Sequence, residues 1–250
     1  MLLGESHDDP AHHIWQCDTL GALFARRPAL AVGFEMFPRR VQPVLDRWSR
    51  GELDEAGFLA AVDWPRIWGG DPGLYLPLLR FAQLNGLPVI ALNVERETSR
   101  AAGAETFAGL AAAEREGVGE PAPATAAYRD RLLTWFKQHP HGDADPVGFE
   151  RFVRVQLFWD RAMAEAIASA LVGLGRPLVI GIMGSGHVEY GDGVAHQLAA
   201  LGERDVAAAL PWPAGAECPV NDPPVADYLF GVGSVAGPLS STPLPSGSRK

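Results

Sequence analysis

Residues 1–8 read MLLGESHD, an apolar run that passes without a break into alternating charged and polar residues. A run that is apolar at every position is typical of a strand covered on both faces of a sheet. Asp9 can cap a following helix with Pro10 in its first turn, and we expect this helix to reach about Arg26. Because a domain rarely opens halfway along a central strand, we expect the natural chain to begin further upstream.

Five more apolar runs follow, and helical patterns separate most of them. The runs cover residues 29–34, 87–92, 177–182, 205–210 and, more weakly, 227–232. Amphipathic patterns predict further helices at residues 39–49, 54–62, 74–85, 125–138, 146–174 and 193–201. Repeats of strand and helix favour right-handed crossovers and a mostly parallel sheet. The sequence therefore predicts an α/β domain over residues 1–232, with helices on both faces and a helical insertion, and a disordered tail at residues 233–250.

The composition limits the classes of function. The chain has 250 residues with a formal net charge of -9, which disfavours a nucleic-acid binder. Its two cysteines, Cys17 and Cys218, form no CxxC pattern, so a disulfide framework and a cysteine zinc site are excluded. No run approaches the ~18 apolar residues that indicate a membrane-spanning helix. Residues 1–8 have no signal-peptide pattern, so the sequence leaves the compartment open.

Polar side chains follow four of the predicted strands directly. Glu5 and His7 follow the first strand, Glu35 ends the second, Asn93 ends the third, and His187 follows the fourth. Since ligands of open parallel sheets bind outside the carboxyl ends of the strands, we expect these side chains to share one edge. Two imidazoles and a carboxylate suit a first-row metal with an activated water, and without metal a histidine can act as general base. The glycines around His187 and a helix end near His7 favour an anionic ligand.

Two more groups of polar residues are candidates for this edge. Gln156 and Asp160 share the inward face of the predicted helix 146–174. A buried carboxylate or amide is costly without a partner, so these two residues either cap a neighbouring backbone group or face a polar site. Of the adjacent His12 and His13, one is expected to face the site and the other the solvent.

Three further patterns are more typical of a structural role than of a binding or catalytic motif. Residues 181–186 read GxxGxG, which does not match the dinucleotide fingerprint. Ser185 lacks the GxSxG context of a nucleophile elbow. The aromatic residues are expected to pack as a subdomain, although a flat apolar ligand would use the same side chains. They are Trp48, Trp64, Trp68 and Tyr75.

Five blocks of sequence occur in series between residue 1 and about residue 230. They read LLGESHD at residues 2–8 with His13 and Gln16, GFEMF at 33–37 with Gln42, residues 75–82 followed by IALN at 90–93, QLFWDRAMA at 156–164, and GSGHVEYG at 184–191. In this order the blocks resemble the ChaN family of bacterial haem-binding uptake proteins.

The resemblance implies a fold shared with erythromycin esterases and Tiki metalloproteases. It implies a role in haem and iron acquisition, often as a lipoprotein, and a homodimer formed around haem. The hydrolytic residues of the esterase and Tiki relatives correspond to Glu5, His7, Glu35 and His187. The chain departs from the family pattern in having no lipobox, and in having Ala195 and Glu95 where the family tends to have proline at or near the position.

Three hypotheses of function follow from these observations. In the first, the chain binds haem, with Tyr190 or a histidine on the iron and arginines on the propionates. The residues expected around the haem are His13, Asn93, Gln156, Asp160 and Tyr190. In the second, it is a hydrolase of esters or peptides in which His7, Glu35 and His187 hold Mn, Co or Zn and Glu5 is the base. In the third, it is a scaffold with a degenerate site.

Overall fold

The computed structural model describes residues 1–138, 145–220 and 223–233. Six strands form one sheet: β1 (Leu2–Glu5), β2 (Leu30–Pro38), β3 (Val89–Asn93), β4 (Leu178–Gly184), β5 (Ala208–Pro213) and β6 (Tyr228–Val232). Their order in the sheet is β3-β2-β4-β1-β5-β6, and every neighbouring pair is parallel. Each of the six predicted strands is present, so the predicted α/β fold is confirmed.

The helices occupy the segments between the strands, as predicted, with two additions. They are α1 (Pro10–Arg26), α2 (Gln42–Ser49), α3 (Glu55–Val62), α4 (Trp64–Ile67), α5 (Leu76–Leu84), α6 (Arg96–Ala104), α7 (Ala126–Lys137), α8 (Pro146–Gly173) and α9 (Val194–Ala200). Asp9 caps α1, since its carboxylate accepts a hydrogen bond from the Ala11 amide. The helices α4 and α6 were not predicted from the sequence. In α6 the buried residues are the small Ser99, Ala102 and Gly103, which produce no apolar periodicity.

The shortest strand lies at the centre of the sheet. β1 pairs with β4 on one side, where Glu5 is opposite Gly184, and with β5 on the other. A Cβ atom on Gly4 would lie 2.3 Å from Leu210 Cδ2 and 2.9 Å from Ser185 Oγ, so only glycine lets the turn after β4 pack on β1. Because all strands run in one direction, the residues that follow β1, β2 and β4 meet at the same edge.

Two hydrophobic cores flank the sheet, because successive residues of a strand face opposite sides. Leu3 packs in one core with Trp15 of α1 and Trp48 of α2. Leu2 packs in the other with Met163 of α8 and further residues of α8 and α9. Full burial of such side chains stabilises the fold by about 1.5–3 kcal/mol each. The predicted placement of helices on both faces is therefore confirmed.

Some predictions concern residues that the structure does not describe. The predicted tail lies outside the described residues from 234 onward, as do residues 139–144 before α8. The division into a domain at 1–232 and a tail therefore stays a prediction. Among the described helices, none combines the length and the apolar character needed to cross a bilayer.

Candidate functional site

Glu5 ends the central strand β1 and is almost completely buried. Its Oε1 accepts hydrogen bonds from the Tyr75 hydroxyl at 2.6 Å and from His7 Nδ1 at 2.9 Å, and its Oε2 accepts one from Gln16 Nε2 at 2.8 Å. Burial disfavours the charged form, but these hydrogen bonds and the nearby His13 outweigh it and lower the pKa of Glu5. Both carboxylate oxygens are therefore occupied, and Glu5 fixes its neighbours in place.

His7 is the accessible imidazole of the site, with 42% of its side chain exposed. Its ring lies edge-on to Trp68, with centroids 4.8 Å apart. Burial works against protonation, but the hydrogen bond to Glu5 and the charge of Glu35 prevail and raise the pKa of His7. The bond to Glu5 places a proton on Nδ1, so Nε2 is the nitrogen left for a ligand.

Glu35 lies between the two strand-end histidines. Its Oε2 accepts a hydrogen bond from the Gly184 amide at 2.7 Å, and its Oε1 is 3.7 Å from His187 Nε2. A Cβ atom on Gly184 would be only 3.2 Å from His7 Nε2 and 3.7 Å from Glu35 Oε2. Glycine at this position therefore allows His7 and Glu35 to approach each other at the end of β4.

His187 forms a buried pair with Asp160 of α8. Its Nδ1 is 2.6 Å from Asp160 Oδ1, and Asp160 Oδ2 accepts a hydrogen bond from the Tyr128 hydroxyl at 2.7 Å. Burial alone would lower the pKa of His187, but the charges of Asp160 and Glu35 raise it to about 9. Burial raises the pKa of Asp160, against the effect of His187 and Tyr128. The His187 imidazole is therefore doubly protonated and positively charged at neutral pH.

The site thus consists of two imidazole–carboxylate pairs on either side of a third carboxylate. Each imidazole is anchored through Nδ1, so His7 and His187 both have Nε2 on the side left for a ligand or for Glu35. Anchoring of this kind fixes the tautomer and the ring orientation of histidines that bind metal or transfer protons. In the part of the chain that the structure describes, no three His, Cys, Asp or Glu side chains are close enough together to hold a metal ion.

Comparison with known proteins places the chain in a family. Its sequence matches the family described as haem-binding uptake, Tiki superfamily, ChaN, over residues 1–198. The chain belongs to the ChaN family. The matched range includes every strand and helix that supplies the residues described above. The family expected from the five sequence blocks is therefore confirmed.

Solved structures share the ChaN fold with this chain. ChaN of Campylobacter jejuni, whose structure shows cofacial haem binding, is similar with a TM-score of 0.73 and 16% identity over 92% of this chain and 86% of that one. An erythromycin esterase mutant in its open conformation is similar with a TM-score of 0.50 and 12% identity over 90% of this chain and 74% of that one. At these identities the likeness establishes the fold.

A plant protein also contains a region similar to this ChaN-family chain. The protein RETICULATA-RELATED 5, chloroplastic, from Arabidopsis thaliana is 27% identical over 173 residues, which cover 65% of this chain and 23% of that protein. The chain therefore spans about a quarter of the length of this relative.

His13 and Gln16, which belong to the first ChaN-like block, both support Glu5. His13 is buried, with its Nε2 3.1 Å from the His7 carbonyl oxygen and its ring edge-on to Tyr75 at 4.5 Å. Its Nδ1 is 3.6 Å from Glu5 Oε2. The structure therefore places His13 behind Glu5 and His7, at the first of the two imidazole–carboxylate pairs.

The other three candidates for binding a cofactor lie further out. Asn93, at the end of β3, lines a neighbouring pocket. Tyr190 lies in a turn with a left-handed backbone, φ 59°, and the Arg131 guanidinium is 4.3 Å above its ring. Gln156 is partly exposed on α8, and its side chain makes no hydrogen bond with any described residue. The structure thus brings Glu5, His7, His13, Glu35, Asp160 and His187 together, and gives the Gln156 side chain no hydrogen bond to them.

Tyr128 and Tyr75 are the partners that the sequence analysis missed. Tyr75 was expected to act as a packing aromatic, and its hydroxyl bonds Glu5. Tyr128 lies on α7, in the helical insertion between β3 and β4, and bonds Asp160. A buried Asp160 needs a hydrogen-bond donor, so the sequence indicated that a donor exists. It did not indicate which residue supplies it.

Proposed function

We propose that this chain binds haem at the carboxyl edge of its sheet, with His7 on the iron. The observation that carries the proposal is the accessible His7 ring. Its Nδ1 is hydrogen-bonded to Glu5, and its Nε2 forms no hydrogen bond with any described residue. Histidines that bind metal commonly donate their other nitrogen to a carboxylate in this way. Trp68 beside the ring adds an apolar surface of the kind that a porphyrin plane contacts.

The family supports this proposal and extends it. Its description as a haem-binding uptake family leads us to propose a role in haem or iron uptake. The Campylobacter jejuni relative shows cofacial haem binding, and we propose a face-to-face arrangement of two haems for this chain as well. Since we propose one haem per chain, the same arrangement here requires a homodimer in which the carboxyl edges of two sheets face each other. Haem on such a dimer is a cargo, which the chain holds and releases.

Titration with haemin tests the proposal. We expect the wild-type protein to give a saturable shift of the Soret band and His7→Ala to weaken binding by about tenfold to a hundredfold. Tyr190→Phe, which removes the rival axial ligand, is expected to leave the affinity within about threefold. His196→Ala is the control, because His196 is only partly buried and its side chain bonds only the Pro123 carbonyl among the described residues. A free-haemin spectrum with the wild-type protein would refute haem binding, and a selective loss in Tyr190→Phe would move the iron ligand to Tyr190.

A metal-dependent hydrolase is the second candidate, because two histidines with anchored rings lie on either side of Glu35. Without a metal, protonated His187 could stabilise an anionic intermediate, and Glu35 could accept a proton from water. Glu5 is less suited to be the base, since its oxygens are already hydrogen-bonded. The metal of this candidate, Mn, Co or Zn, would be held by His7, Glu35 and His187 and would activate the attacking water. These three side chains would first have to move closer together, since no three such groups among the described residues are near enough to hold a metal ion, and His187 would have to lose its proton.

Metal analysis of the purified protein distinguishes this candidate from haem transport. The hydrolase predicts stoichiometric divalent metal that is lost in His7→Ala and in His187→Ala, together with hydrolysis of model esters or peptides that depends on the same residues. His196→Ala should keep both properties. Protein that binds haemin but contains no stoichiometric metal and hydrolyses neither substrate class would exclude the hydrolase. Protein that does none of these would agree with the scaffold hypothesis.

A further inference from the structure

A pocket opens beside the site, at the carboxyl ends of β2 and β3. The empty space at this pocket, open solvent included, is about 530 Å³, and Met36, which follows Glu35 directly, lines it together with Trp159. The Trp159 ring contacts the His187 ring edge-on, with centroids 6.2 Å apart. The pocket is therefore adjacent to both Glu35 and His187, and a ligand held between the histidines could extend into it.

Two arginines line this pocket. Arg96, the first residue of α6, donates a hydrogen bond from Nη2 to the Ile67 carbonyl oxygen at 3.2 Å, which fixes its position and leaves its other N–H groups available. The side chain of Arg66, on α4, forms neither a hydrogen bond nor an ion pair with any described residue. Both guanidinium groups therefore remain positively charged without a matching carboxylate.

The acids of the pocket do not neutralise this pair of charges. Glu95 lines the pocket but forms an ion pair with Arg40. Glu97 is exposed, and it is the remaining acid among the lining residues. Two free guanidinium groups thus lie near one free carboxylate, so the pocket has a positive balance that favours an anion.

Asn93 adds a third donor. Its Oδ1 accepts a hydrogen bond from the Val94 amide at 2.9 Å. This bond holds the carboxamide of Asn93 in place and occupies its oxygen. Its NH₂ group has no acceptor among the described residues. Guanidinium and NH₂ groups only donate, and a carboxylate only accepts. The polar part of the pocket is therefore complementary to a carboxylate.

We propose that Arg66, Arg96 and Asn93 form a subsite that binds a carboxylate of the ligand held at His7, Glu35 and His187. The inference rests on the proposed function, in which this carboxylate is a propionate of haem. It adds a determinant of specificity to that function. The pocket selects ligands in which one part binds at the histidines and a carboxylate reaches Arg66 and Arg96.

Haemin and its dimethyl ester test the subsite directly, because esterification removes the two charges and leaves the iron and the porphyrin ring. We expect wild-type protein to bind haemin at least about tenfold more tightly than the ester. Arg66→Gln and Arg96→Gln should each weaken haemin binding by about tenfold and leave binding of the ester unchanged, so that the preference disappears. Arg204→Gln is the matched control, since Arg204 is an exposed arginine in the loop before β5, at the opposite edge of the sheet.

The outcomes separate the subsite from the function on which it rests. Equal affinity of the wild-type protein for haemin and its ester would overturn the subsite and leave haem binding in place. A second experiment needs no haem. The protein is titrated with glutarate, and binding is followed by NMR through the indole N–H resonance of Trp159, which is assigned with the variant Trp159→Phe. We expect a saturable shift in the wild-type protein that is absent in the Arg66→Gln/Arg96→Gln double variant. If no shift occurs, the subsite is refuted, whether or not haemin binds.

Discussion

Asp160→Ala is expected to lower the free energy of unfolding by about 3–5 kcal/mol, which is a large share of the ~5–15 kcal/mol that stabilises a typical domain. The substitution leaves protonated His187 buried without its counter-charge and the Tyr128 hydroxyl without its acceptor. Urea denaturation measures the loss. Glu150→Ala is the control on the same helix, because Glu150 forms an exposed ion pair with Arg129 that is worth at most about 1 kcal/mol. Equal losses in the two variants would show that the buried pair does not stabilise the fold.

The same experiment has a defined dependence on pH. The pKa of His187 is raised from 6.5 to about 9 in the folded state. Stability gained from the protonated imidazole is therefore complete below pH ~6.5 and is lost as the pH rises through about 9. The difference in stability between the wild-type protein and Asp160→Ala should accordingly be largest near pH 6 and become smaller above pH ~9. A difference that grows with pH would contradict the assigned protonation of His187.

Glu5→Ala is expected to reduce both stability and ligand binding. It leaves His7, Tyr75 and Gln16 without the acceptor that they share, which should cost about 3 kcal/mol of unfolding free energy. Haemin affinity should fall by about tenfold to a hundredfold, because His7 loses the bond that fixes its tautomer and orientation. Urea denaturation and haemin titration, carried out where circular dichroism shows the variant folded, measure the two effects.

Tyr75→Phe separates these two effects of Glu5. It removes one donor from Glu5 and keeps the bond to His7, so we expect a loss of about 1 kcal/mol in stability and less than about a threefold change in haemin affinity. If Tyr75→Phe weakens haemin binding as much as Glu5→Ala, the role assigned to the bond between Glu5 and His7 is wrong.

Much of the fold could be predicted from the sequence, because hydrophobic burial determines it. Each strand of the sheet is an apolar run that packs between helices, and Leu2 and Leu3 face opposite cores. The edge on which Glu5, Glu35 and His187 lie follows from the parallel direction of the strands alone. The helix α6 could not be predicted in this way, since small residues form its buried face.

The partners of the site residues could not be predicted, because they depend on tertiary packing. Tyr128 reaches Asp160 from the insertion, and no spacing in the sequence links the two residues. In the hydrolase hypothesis Glu5 was the base, and its three hydrogen bonds became visible only in the structure. The backbone at Tyr190, with a φ of 59°, likewise depends on the bond from its amide to the Val225 carbonyl oxygen.

The central position of β1 has a consequence for biosynthesis. Leu3 lies opposite Ile182, so the strand that supplies Glu5 is synthesised long before β4 and pairs with it only after the roughly 170 intervening residues have followed. Contacts between such distant segments form slowly, and until β1 inserts, β4 and β5 present unpaired edges that can aggregate. A truncated translation product that ends before β4 would therefore contain His7 and Glu35 and still bind no ligand. The capacity to take up ligand would thus distinguish finished molecules from nascent ones.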